Sequence, residues 1–399
     1  PFSLTTGRLR DHWHGMSRTG TLGRLFGHVA EPAIQMNPQD MVRRQLKEGD
    51  LVHVTSKRGS IVVPLQASSE IGMSQAFIAM HWGGEYLSGC SSSGERLAGV
   101  NAITTSAYCP SSKQPELKHA AVKILKAELP WSLLGVAWLP EDQALSAREE
   151  LKRMMALFPF ASCVPFSNNA PLAGAQGHER TGVLLRAASY EAPPDEVLSR
   201  IESLLGLGGT DALRYADKKK GQRRAMRLVR TAGPPQGAQA PSGGSAVHEV
   251  TSVGASARIG AEARLEGFVL AGDTSAEAWI KTLLQDELPA QAYGRLLLVP
   301  GAKAPVAIQS RGKQVCTCFN VTDTAIDEHL SVISQGGGGA GYLGTDDERL
   351  ASLQGALKCG TNCGSCLPEL KRRVRSAHSA STAGMAAPLR TVIPIKQLA

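Results

Sequence analysis

The chain has 399 residues and a net charge of +8, with 42% hydrophobic and 20% charged residues. This length suffices for two to four domains, and the composition is that of an ordinary globular protein. No apolar run approaches the roughly 20 residues of a membrane span, and residues 1–20 lack the apolar core of a signal peptide, so we expect a cytoplasmic protein. Because the chain opens on Pro1 rather than Met, we treat it as a fragment or a processed chain.

Two basic blocks carry much of the positive charge. Residues 371–399 and residues 218–230 are rich in Lys and Arg and contain no acid. Nucleic acid is one interpretation, but neither block contains the aromatic side chains that stack on bases. We therefore interpret both blocks as solvated faces and expect no nucleic-acid or membrane partner.

Residues 1–127 are predicted to form a first domain rich in β-strands. Asn37, which precedes a proline, predicts the N-cap of a short helix that Gly49 closes. Residues 51–56 and 60–65 predict the two strands of a hairpin, in whose turn Gly59 is available for a positive φ.

Two segments of this domain predict surface loops, and a third predicts a strand. The loop segments are residues 81–84, which end in two glycines, and residues 88–99, which are rich in Gly and Ser. The strand is expected to begin at Lys118 and to continue to Ala127.

Residues 128–210 are predicted to form an α+β connecting domain. The predicted order β-α-β-β-α is typical of a small α+β sandwich. Its strands and helices are expected, in chain order, at residues 133–139, 146–157, 160–166, 182–188 and 195–205.

Residues 211–310 are predicted to form a connecting region. Residues 232–247 are rich in Gly, Pro, Ala and Ser and predict a flexible linker or a long hairpin loop. They separate two strand-like segments, 224–229 and 265–271, that could pair. Residues 272–274 are expected to cap a helix over 275–284, as a turn rather than as a ligand site.

The last predicted domain comprises residues 311–377, followed by a disordered tail at 378–399. Five of the eight cysteines lie in the last quarter of the chain. A small secreted protein held together by disulfides would have its cysteines spaced throughout, so this class of protein is excluded. The eight are Cys90, Cys109, Cys163, Cys316, Cys318, Cys359, Cys363 and Cys366. We interpret the first three, which are isolated, as small packed residues.

Four of these cysteines form two close pairs, C-x-C at Cys316 and Cys318 and C-x-x-C at Cys363 and Cys366. Four thiolates in two pairs can enclose a [2Fe–2S] cluster or a zinc ion. Zinc sites favour two C-x₂₋₄-C knuckles, so the spacing favours iron–sulfur but leaves zinc, and also free or disulfide-bonded thiols, open. Predicted helices at 323–333 and 367–375 would place each pair near a helix N-terminus, whose positive dipole end favours thiolates.

The segments 315–321 and 360–370 resemble the [2Fe–2S] domain of bacterioferritin-associated ferredoxin, a small helical module. The same module ends assimilatory nitrate reductases and occurs in assimilatory nitrite reductases. The resemblance implies that the paired cysteines hold one [2Fe–2S] cluster. Glycines within 336–341 lengthen the stretch between the pairs, and Cys359 is expected not to be a ligand.

The second constellation is residues 6–19, with the sequence TGRLRDHWHGMSRT. On residue types alone it could be a metal site or a solvated strand end. Its cationic side chains and glycine backbone could also bind the phosphates of a ligand, and its aromatic side chain could lie beside a fused heterocycle of that ligand.

This segment resembles the signature of the C-terminal molybdopterin-dinucleotide-binding domain of the DMSO-reductase superfamily, whose fold is a β-barrel of the double-psi type. Segments 37–59 and 100–118 match the same domain in the same order. The resemblance implies that molybdopterin guanine dinucleotide is contacted by Thr6, Gly7, Arg8, Leu9, Arg10, Asp11, His12, Trp13, His14, Gly15, Asn101 and Lys118. His81 and Trp82 are further candidates, because the family brings a loop towards the cofactor there; ordinary loop residues are the alternative.

Residues 213–224 and 265–274 resemble, more weakly, the connecting region of nitrate and nitrite reductases. No chemistry is assigned to them. Together the resemblances cover most of residues 3–126 and 211–377 and imply an assimilatory nitrate reductase. Nitrate would be reduced to nitrite by oxygen-atom transfer at a molybdenum bis(molybdopterin guanine dinucleotide) centre. The [2Fe–2S] cluster would relay electrons from a ferredoxin, a flavodoxin or an NADH-linked reductase.

In such an enzyme the molybdenum ligand and a [4Fe–4S] cluster are expected upstream, so no catalytic residue is expected in this chain and the chain alone is expected to be inactive. Two alternatives remain open. One is a formate dehydrogenase or another molybdopterin oxidoreductase. The other is a non-catalytic [2Fe–2S] electron-transfer protein.

Overall fold

The computed structural model describes residues 1–116, 119–167, 180–230, 263–304, 308, 310–335 and 345–385. The chain divides into two compact units. Unit 1 comprises Pro1–Gly23 and Val29–Ser310, and unit 2 comprises Arg24–His28 and Arg311–Ala399. Within the described residues, no helix combines the length and apolarity that crossing a membrane requires.

The strands of unit 1 form a closed barrel and one large sheet. In chain order they are β1 (Phe2–Gly7), β2 (Ile34–Met36), β3 (Leu51–Thr55), β4 (Ser60–Ala67), β5 (Gln75–Ala79), β6 (Leu87–Cys90), β7 (Arg96–Leu97), β8 (His119–Lys126), β9 (Trp131–Pro140), β10 (Phe160–Phe166), β11 (Arg180–Ser189), β12 (Leu213–Asp217), β13 (Gln222–Arg230) and β14 (Ala263–Ala271). The α-helices are α1 (Pro38–Arg43), α2 (Glu141–Met154), α3 (Asp195–Leu204) and α4 (Glu277–Gln285).

The closed barrel has six strands in the order β1-β5-β2-β4-β3-β8. The pairs β1/β5 and β2/β4 are parallel, and the other neighbours are antiparallel. Alternate residues fill the barrel, as in β8, where Ala120, Val122 and Ile124 are buried between exposed neighbours. The mixed fold with a barrel agrees with the sequence-based expectation.

The predicted hairpin is confirmed, since β3 pairs antiparallel with β4 and Thr55 lies opposite Ser60. The expectation for its glycine was wrong: Gly59 is absent from the residues of positive φ. A Cβ at Gly59 would lie 3.0 Å from the Ala102 carbonyl oxygen, so a close approach explains the glycine.

The Asn37 cap is also confirmed, because its side chain accepts a hydrogen bond from the Gln39 amide at 2.9 Å. However, α1 ends at Arg43 rather than near Gly49. Gln45, with φ +55°, turns the chain out of the helix, and Gly49 lies in the later turn before β3.

The large sheet has the order β12-β13-β14-β9-β11-β10-β6-β7, with every neighbouring pair antiparallel. One face packs on α2 and α3, where Leu151 and Ile201 are fully buried. α4 packs against β9 and β14, and the Trp138 indole donates to the Leu284 carbonyl at 3.0 Å. The sheet therefore draws strands from three of the predicted domains.

The predicted order β-α-β-β-α is confirmed by β9, α2, β10, β11 and α3. The start of α2 was misplaced, because the helix begins at Glu141, directly after Pro140, with Glu141 and Asp142 in its first turn. The segments 224–229 and 265–271, whose pairing the sequence left open, pair antiparallel in β13 and β14, while the predicted linker 232–247 lies outside the described residues.

Two further expectations need correction. Residues 88–99 are not simply a surface loop, because β6 pairs with β10 and β7 pairs with β6. The helix expected to start at 275 starts at Glu277, and its N-cap is Ala276 rather than Asp273. Asp273 instead accepts from the amides of Ser275 and Gly301.

Unit 2 is built from β15 (Gln314–Cys316), β16 (Val321–Thr322), α5 (Asp323–Gln335), α6 (Asp346–Leu357) and α7 (Leu367–Met385). Its core includes Ile326, Leu353 and Leu370. The helices predicted at 323–333 and 367–375 are confirmed, and α7 continues to Met385, beyond the predicted end of the domain at 377.

Candidate functional site

The loop after β1 holds most of the predicted dinucleotide-binding residues. Because β1 and β5 run parallel, with Gly7 opposite Ala79, the segments that follow them leave the barrel at the same end. The Met80 amide donates to the Gly7 carbonyl at 2.9 Å, which fixes the start of both segments. The loop at 8–16 is thereby brought to the residues that follow β5, including His81.

His81 is 1% exposed, which contradicts the prediction of a surface loop at 81–84. Neither of its ring nitrogens has a hydrogen-bond partner within the described part of the chain. Burial, followed by the positive charges of Arg8 and His14, lowers the pKa of His81. A buried imidazole without partners is costly unless a bound group satisfies it, so His81 fits a site for a polar ligand.

His12 lies beside His81, with the ring centroids 6.2 Å apart. It is 4% exposed, and its Nδ1 is 3.1 Å from the Thr19 hydroxyl, which also accepts from the Trp13 amide. Burial, then His81, lowers the pKa of His12 to about 4, against an opposing effect of Asp11. The imidazole is therefore neutral at pH 7.

The remaining residues of the run separate into two groups. The side chains of Thr6 and Leu9 are buried. Arg10 is half-buried and forms an ion pair with Asp11 at 2.8 Å, so its charge is already engaged by a carboxylate.

The second group faces solvent and comprises Arg8, Trp13, His14 and Gly15. Trp13 is 46% exposed, with the Arg18 guanidinium 5.0 Å from its ring centroid. Gly15 has φ +57°, and a Cβ there would meet nothing within 4 Å. An exposed indole and cations beside an open backbone can contact a flat heterocycle and its phosphates.

Asn101 lies at the same end of the barrel, because its neighbour Val100 is hydrogen-bonded to the loop that contains Trp82. The Val100 amide donates to the Trp82 carbonyl at 2.9 Å, and Asn101 is exposed in the short 3-10 helix Val100–Ala102. Lys118 lies outside the described residues. The structure thus brings together three of the segments singled out in the sequence, at 8–14, 81–82 and 101.

The four paired cysteines lie in unit 2. Cys316 and Cys366 are each 2% exposed, Cys318 is half-buried and Cys363 is exposed. The sulfurs of Cys318 and Cys363, one from each pair, are 3.3 Å apart. No disulfide joins any of the eight cysteines, all of which are described.

Cys359 has a different environment. It is fully buried, and its Sγ is 3.8 Å from the Leu353 carbonyl oxygen. Burial, followed by the proximity of Cys316, raises the pKa of Cys359 to about 11, which keeps it a thiol at neutral pH.

Among the described residues, no group of three or more His, Cys, Asp or Glu side chains is arranged to hold a metal ion. The structure places the two cysteine pairs in one unit, where Cys318 and Cys363 are in contact, but among the described residues it does not arrange the four as a ligand set. Cys318 and Cys363, the two of the four that are not buried, can reorient about χ1.

Residues 24–28 are part of unit 2 although sequence reasoning attached no significance to them. The His28 Nε2 is 3.2 Å from a carboxylate oxygen of Glu369, in the first turn of α7. A Cβ on Gly27 would lie 1.7 Å from the Gln314 side-chain oxygen, so Gly27 packs directly on β15. No local pattern could have predicted these contacts, since their partners are distant in sequence.

Comparison with known proteins identifies the barrel. Residues 2–121 match the family model of the Molydopterin dinucleotide binding domain. The barrel is a molybdopterin dinucleotide binding domain. Within it, the residues that meet at one end of the barrel all belong to the matched segment.

Two relatives extend this similarity. A nitrate reductase of Klebsiella oxytoca is 28% identical over 373 residues, which is 93% of this chain and 33% of the relative. The alpha subunit of an F420-dependent formate dehydrogenase of Methanocaldococcus jannaschii is 34% identical over 124 residues, 31% of this chain and 16% of the relative. The chain is therefore homologous to the C-terminal part of a molybdopterin oxidoreductase and spans a third or less of the length of these relatives.

Among solved structures, acetylene hydratase from Pelobacter acetylenicus matches with a TM-score of 0.25 and 14% identity, over 32% of this chain and 18% of the other.

Proposed function

We propose that this chain is the C-terminal portion of a molybdenum-dependent assimilatory nitrate reductase. The observation that carries the proposal is the similarity to the nitrate reductase along 93% of the chain. Only about 7% of the chain lies outside that alignment, so it has to extend into unit 2 as well as the barrel. The similarity to the formate dehydrogenase subunit covers 31% of the chain.

We further propose that the barrel is of the double-psi type, which its two parallel strand pairs support. Arg8 would place positive charge beside the phosphates, His14 would donate a hydrogen bond to them, and Trp13 would contact the heterocycle. His81, buried and without a partner in the described chain, would hydrogen-bond the bound dinucleotide. Asn101 and Lys118 would complete the contacts predicted from the sequence.

When bound, the molybdenum centre supplies oxygen-atom transfer, by which nitrate, two electrons and two protons give nitrite and water. The residues of this chain would hold and orient the dinucleotide. The molybdenum ligand and a [4Fe–4S] cluster are assigned to a part of the enzyme upstream of this sequence. None of the eight cysteines is assigned to molybdenum.

In unit 2, Cys316, Cys318, Cys363 and Cys366 would hold a [2Fe–2S] cluster. Four cysteines in two pairs, with sulfurs of both pairs in contact, supply the donor set that this cluster requires. Electrons would enter from a ferredoxin, a flavodoxin or an NADH-linked reductase in the cytoplasm.

A formate dehydrogenase is the second candidate, because the matched relative of that activity is 34% identical over the aligned residues. The experiment is to express the chain joined to its upstream region and to supply either nitrate with a reduced dye or formate with an oxidised dye. We expect molybdenum-dependent formation of nitrite. Formate oxidation without nitrite formation would select the second candidate.

A further inference from the structure

Tyr86 is a buried residue that packs on the segments of the candidate site. It lies directly before β6 and is 3% exposed. Its ring meets the Trp82 indole edge-on, with the ring centroids 6.2 Å apart. The Trp82 carbonyl accepts a hydrogen bond from the Val100 amide, which holds the segment of Asn101. Tyr86 therefore packs on the residue to which that segment is attached.

Tyr86 also contacts the loop that follows β1. A Cβ on Gly20 would clash with the Tyr86 hydroxyl oxygen, so the absence of a side chain at Gly20 allows this close approach. The preceding residue is Thr19, whose hydroxyl is 3.1 Å from the His12 Nδ1 and accepts from the Trp13 amide at 3.2 Å. A displacement of Gly20 would therefore move the hydroxyl that orients His12 and Trp13.

The Tyr86 side chain is held in turn by Arg148 of α2. The Arg148 guanidinium carbon lies 5.9 Å from the Tyr86 ring centroid, within the range of a cation–π contact. Burial raises the pKa of the Tyr86 hydroxyl, and Arg148 opposes that shift through its charge and a hydrogen bond. The Tyr86 backbone is fixed as well, because its carbonyl accepts from the Cys163 amide at 3.1 Å.

Arg148 is buried without an acid to balance its charge. It is 5% exposed, yet among the described residues it forms no ion pair, and its Nε has no hydrogen-bond partner. Burying a guanidinium without a carboxylate costs folding free energy, so Arg148 is not explained by stability. It also hydrogen-bonds the Cys163 thiol, which is a weak acceptor. The contact with Tyr86 is therefore the one that accounts for this arginine.

We propose that Arg148 and Tyr86 are positioning residues for the dinucleotide site. Arg148 holds Tyr86, and Tyr86 holds the loop after β1 through Gly20 and Thr19. The proposal rests on the proposed function, because it takes this loop to bind the dinucleotide. The connecting domain, through α2, thereby takes part in retaining a cofactor that the barrel binds.

The test uses the full-length enzyme, in which the chain is joined to its upstream region and loaded with the cofactor. The variant Tyr86→Phe/Arg148→Met removes the hydroxyl and the guanidinium together and keeps most of the apolar part of each side chain. The matched control is Tyr190→Phe/Arg153→Met, which makes the same changes at exposed positions, with Arg153 also on α2. Molybdenum and guanine nucleotide per protein are measured after gel filtration at successive times, which gives the rate of cofactor loss.

Urea unfolding of the 399-residue chain separates positioning from a general loss of structure. Replacing both partners of a buried polar contact by apolar groups can be nearly neutral for stability. We therefore expect the unfolding midpoint of Tyr86→Phe/Arg148→Met to match that of the unaltered chain. Its cofactor should be lost about tenfold faster, as when an outer partner that orients a ligand is removed. The control should change neither quantity.

The outcomes separate this proposal from the proposed function. Arg8→Ala, measured in the same way, tests whether the loop binds the dinucleotide. If Arg8→Ala loses the cofactor faster while Tyr86→Phe/Arg148→Met retains it as the unaltered enzyme does, only the positioning role is overturned. If Arg8→Ala retains it, the loop is not the cofactor site and both proposals fall, whatever the double variant does. A fall in the unfolding midpoint that accompanies faster loss would make the two residues structural and also overturn the positioning role.

Discussion

The rings of His12 and His81 lie 6.2 Å apart and are inclined at 49°, although the two residues follow different strands of the barrel. Both side chains are almost completely buried, at 4% and 1% exposure. The parallel pairing of β1 with β5 brings them together at one end of the barrel. Since burial is the leading cause of the lowered pKa of each, the pair stays neutral at pH 7.

This pair makes the barrel sensitive to acid. A histidine whose folded pKa is depressed stabilises the fold above its unfolded pKa of 6.5, and this contribution is lost as the pH falls towards about 4. Between pH 7 and 5, His12 alone should cost about 2 kcal/mol of unfolding free energy. His12→Asn should remove that part of the pH dependence, as measured by urea unfolding followed through tryptophan fluorescence.

The control for this prediction is His119→Asn, which alters an exposed histidine of β8. Its unfolding free energy should fall with pH as steeply as that of the unaltered chain. An equally steep fall in His12→Asn would show that His12 does not titrate in this window.

Retention of the dinucleotide in the full-length enzyme should depend on Arg8. Its guanidinium is exposed beside His81 and is placed to meet an anion. Arg8→Ala removes a charge-assisted hydrogen bond, worth roughly 1.5–3 kcal/mol, so retention should weaken about tenfold to a hundredfold. Molybdenum and guanine nucleotide per protein after gel filtration measure the effect.

Lys118→Ala should also weaken retention of the dinucleotide. This expectation rests on the sequence resemblance alone. Lys218→Ala is the matched control, since Lys218 is a cation whose side chain is 86% exposed and which pairs with Asp195. Full molybdenum in Arg8→Ala together with a loss in Lys218→Ala would place the cofactor elsewhere.

Local patterns predicted much of the fold. The hairpin of β3 and β4, the order β9-α2-β10-β11-α3 and the helices beside the cysteines depend on neighbours in sequence. The pairing of β6 with β10 could not be predicted, because β6 has only four residues, two of them Ser and Gly, and its partner is far along the chain. The start of α6 was also predictable, because Thr345 and Glu348 form a capping box, which marks a helix N-terminus in the sequence.

The candidate site was predictable only as separate segments. The residues at 8–14 were singled out by their types, but the burial of His81 beside them follows from the parallel pairing of β1 and β5. The inclusion of residues 24–28 in unit 2 likewise depends on long-range packing, such as that of Gly27 on Gln314.

The cysteines of unit 2 should differ sharply in their effect on the proposed cluster. Cys363→Ser removes a ligand thiolate and should lose the cluster or leave it labile. Cys359→Ser should retain it, because that thiol is directed at the Leu353 carbonyl. Iron, sulfide and zinc contents with the EPR spectrum of the reduced chain provide the measurement, and stoichiometric zinc without sulfide would contradict the assignment.

The buried ion pairs of unit 1 should matter more for stability than its surface pairs. Arg186 on β11 forms ion pairs with both Glu31 and Glu277, and Lys281 also pairs with Glu31. Arg186→Met would leave two largely buried carboxylates with one cation. Because these side chains are 19–26% exposed, we expect a loss of about 3 kcal/mol, the lower end of the range for breaking a buried pair.

The pH dependence identifies the cause of that loss. Burial raises the pKa of Glu31, but Arg186 and Lys281 outweigh it and hold that pKa at about 2. The stabilisation is therefore complete above the unfolded pKa of 4.5 and is lost as the pH falls towards 2. Urea unfolding should show a large difference between Arg186→Met and the unaltered chain at pH 7 and a much smaller one at pH 3.

Arg200→Met, which breaks an exposed pair with Glu150, should change stability by less than about 1 kcal/mol at either pH. A difference for Arg186→Met that is the same at pH 7 and pH 3 would mean that lost packing of the arginine stem, rather than its charge, accounts for the effect.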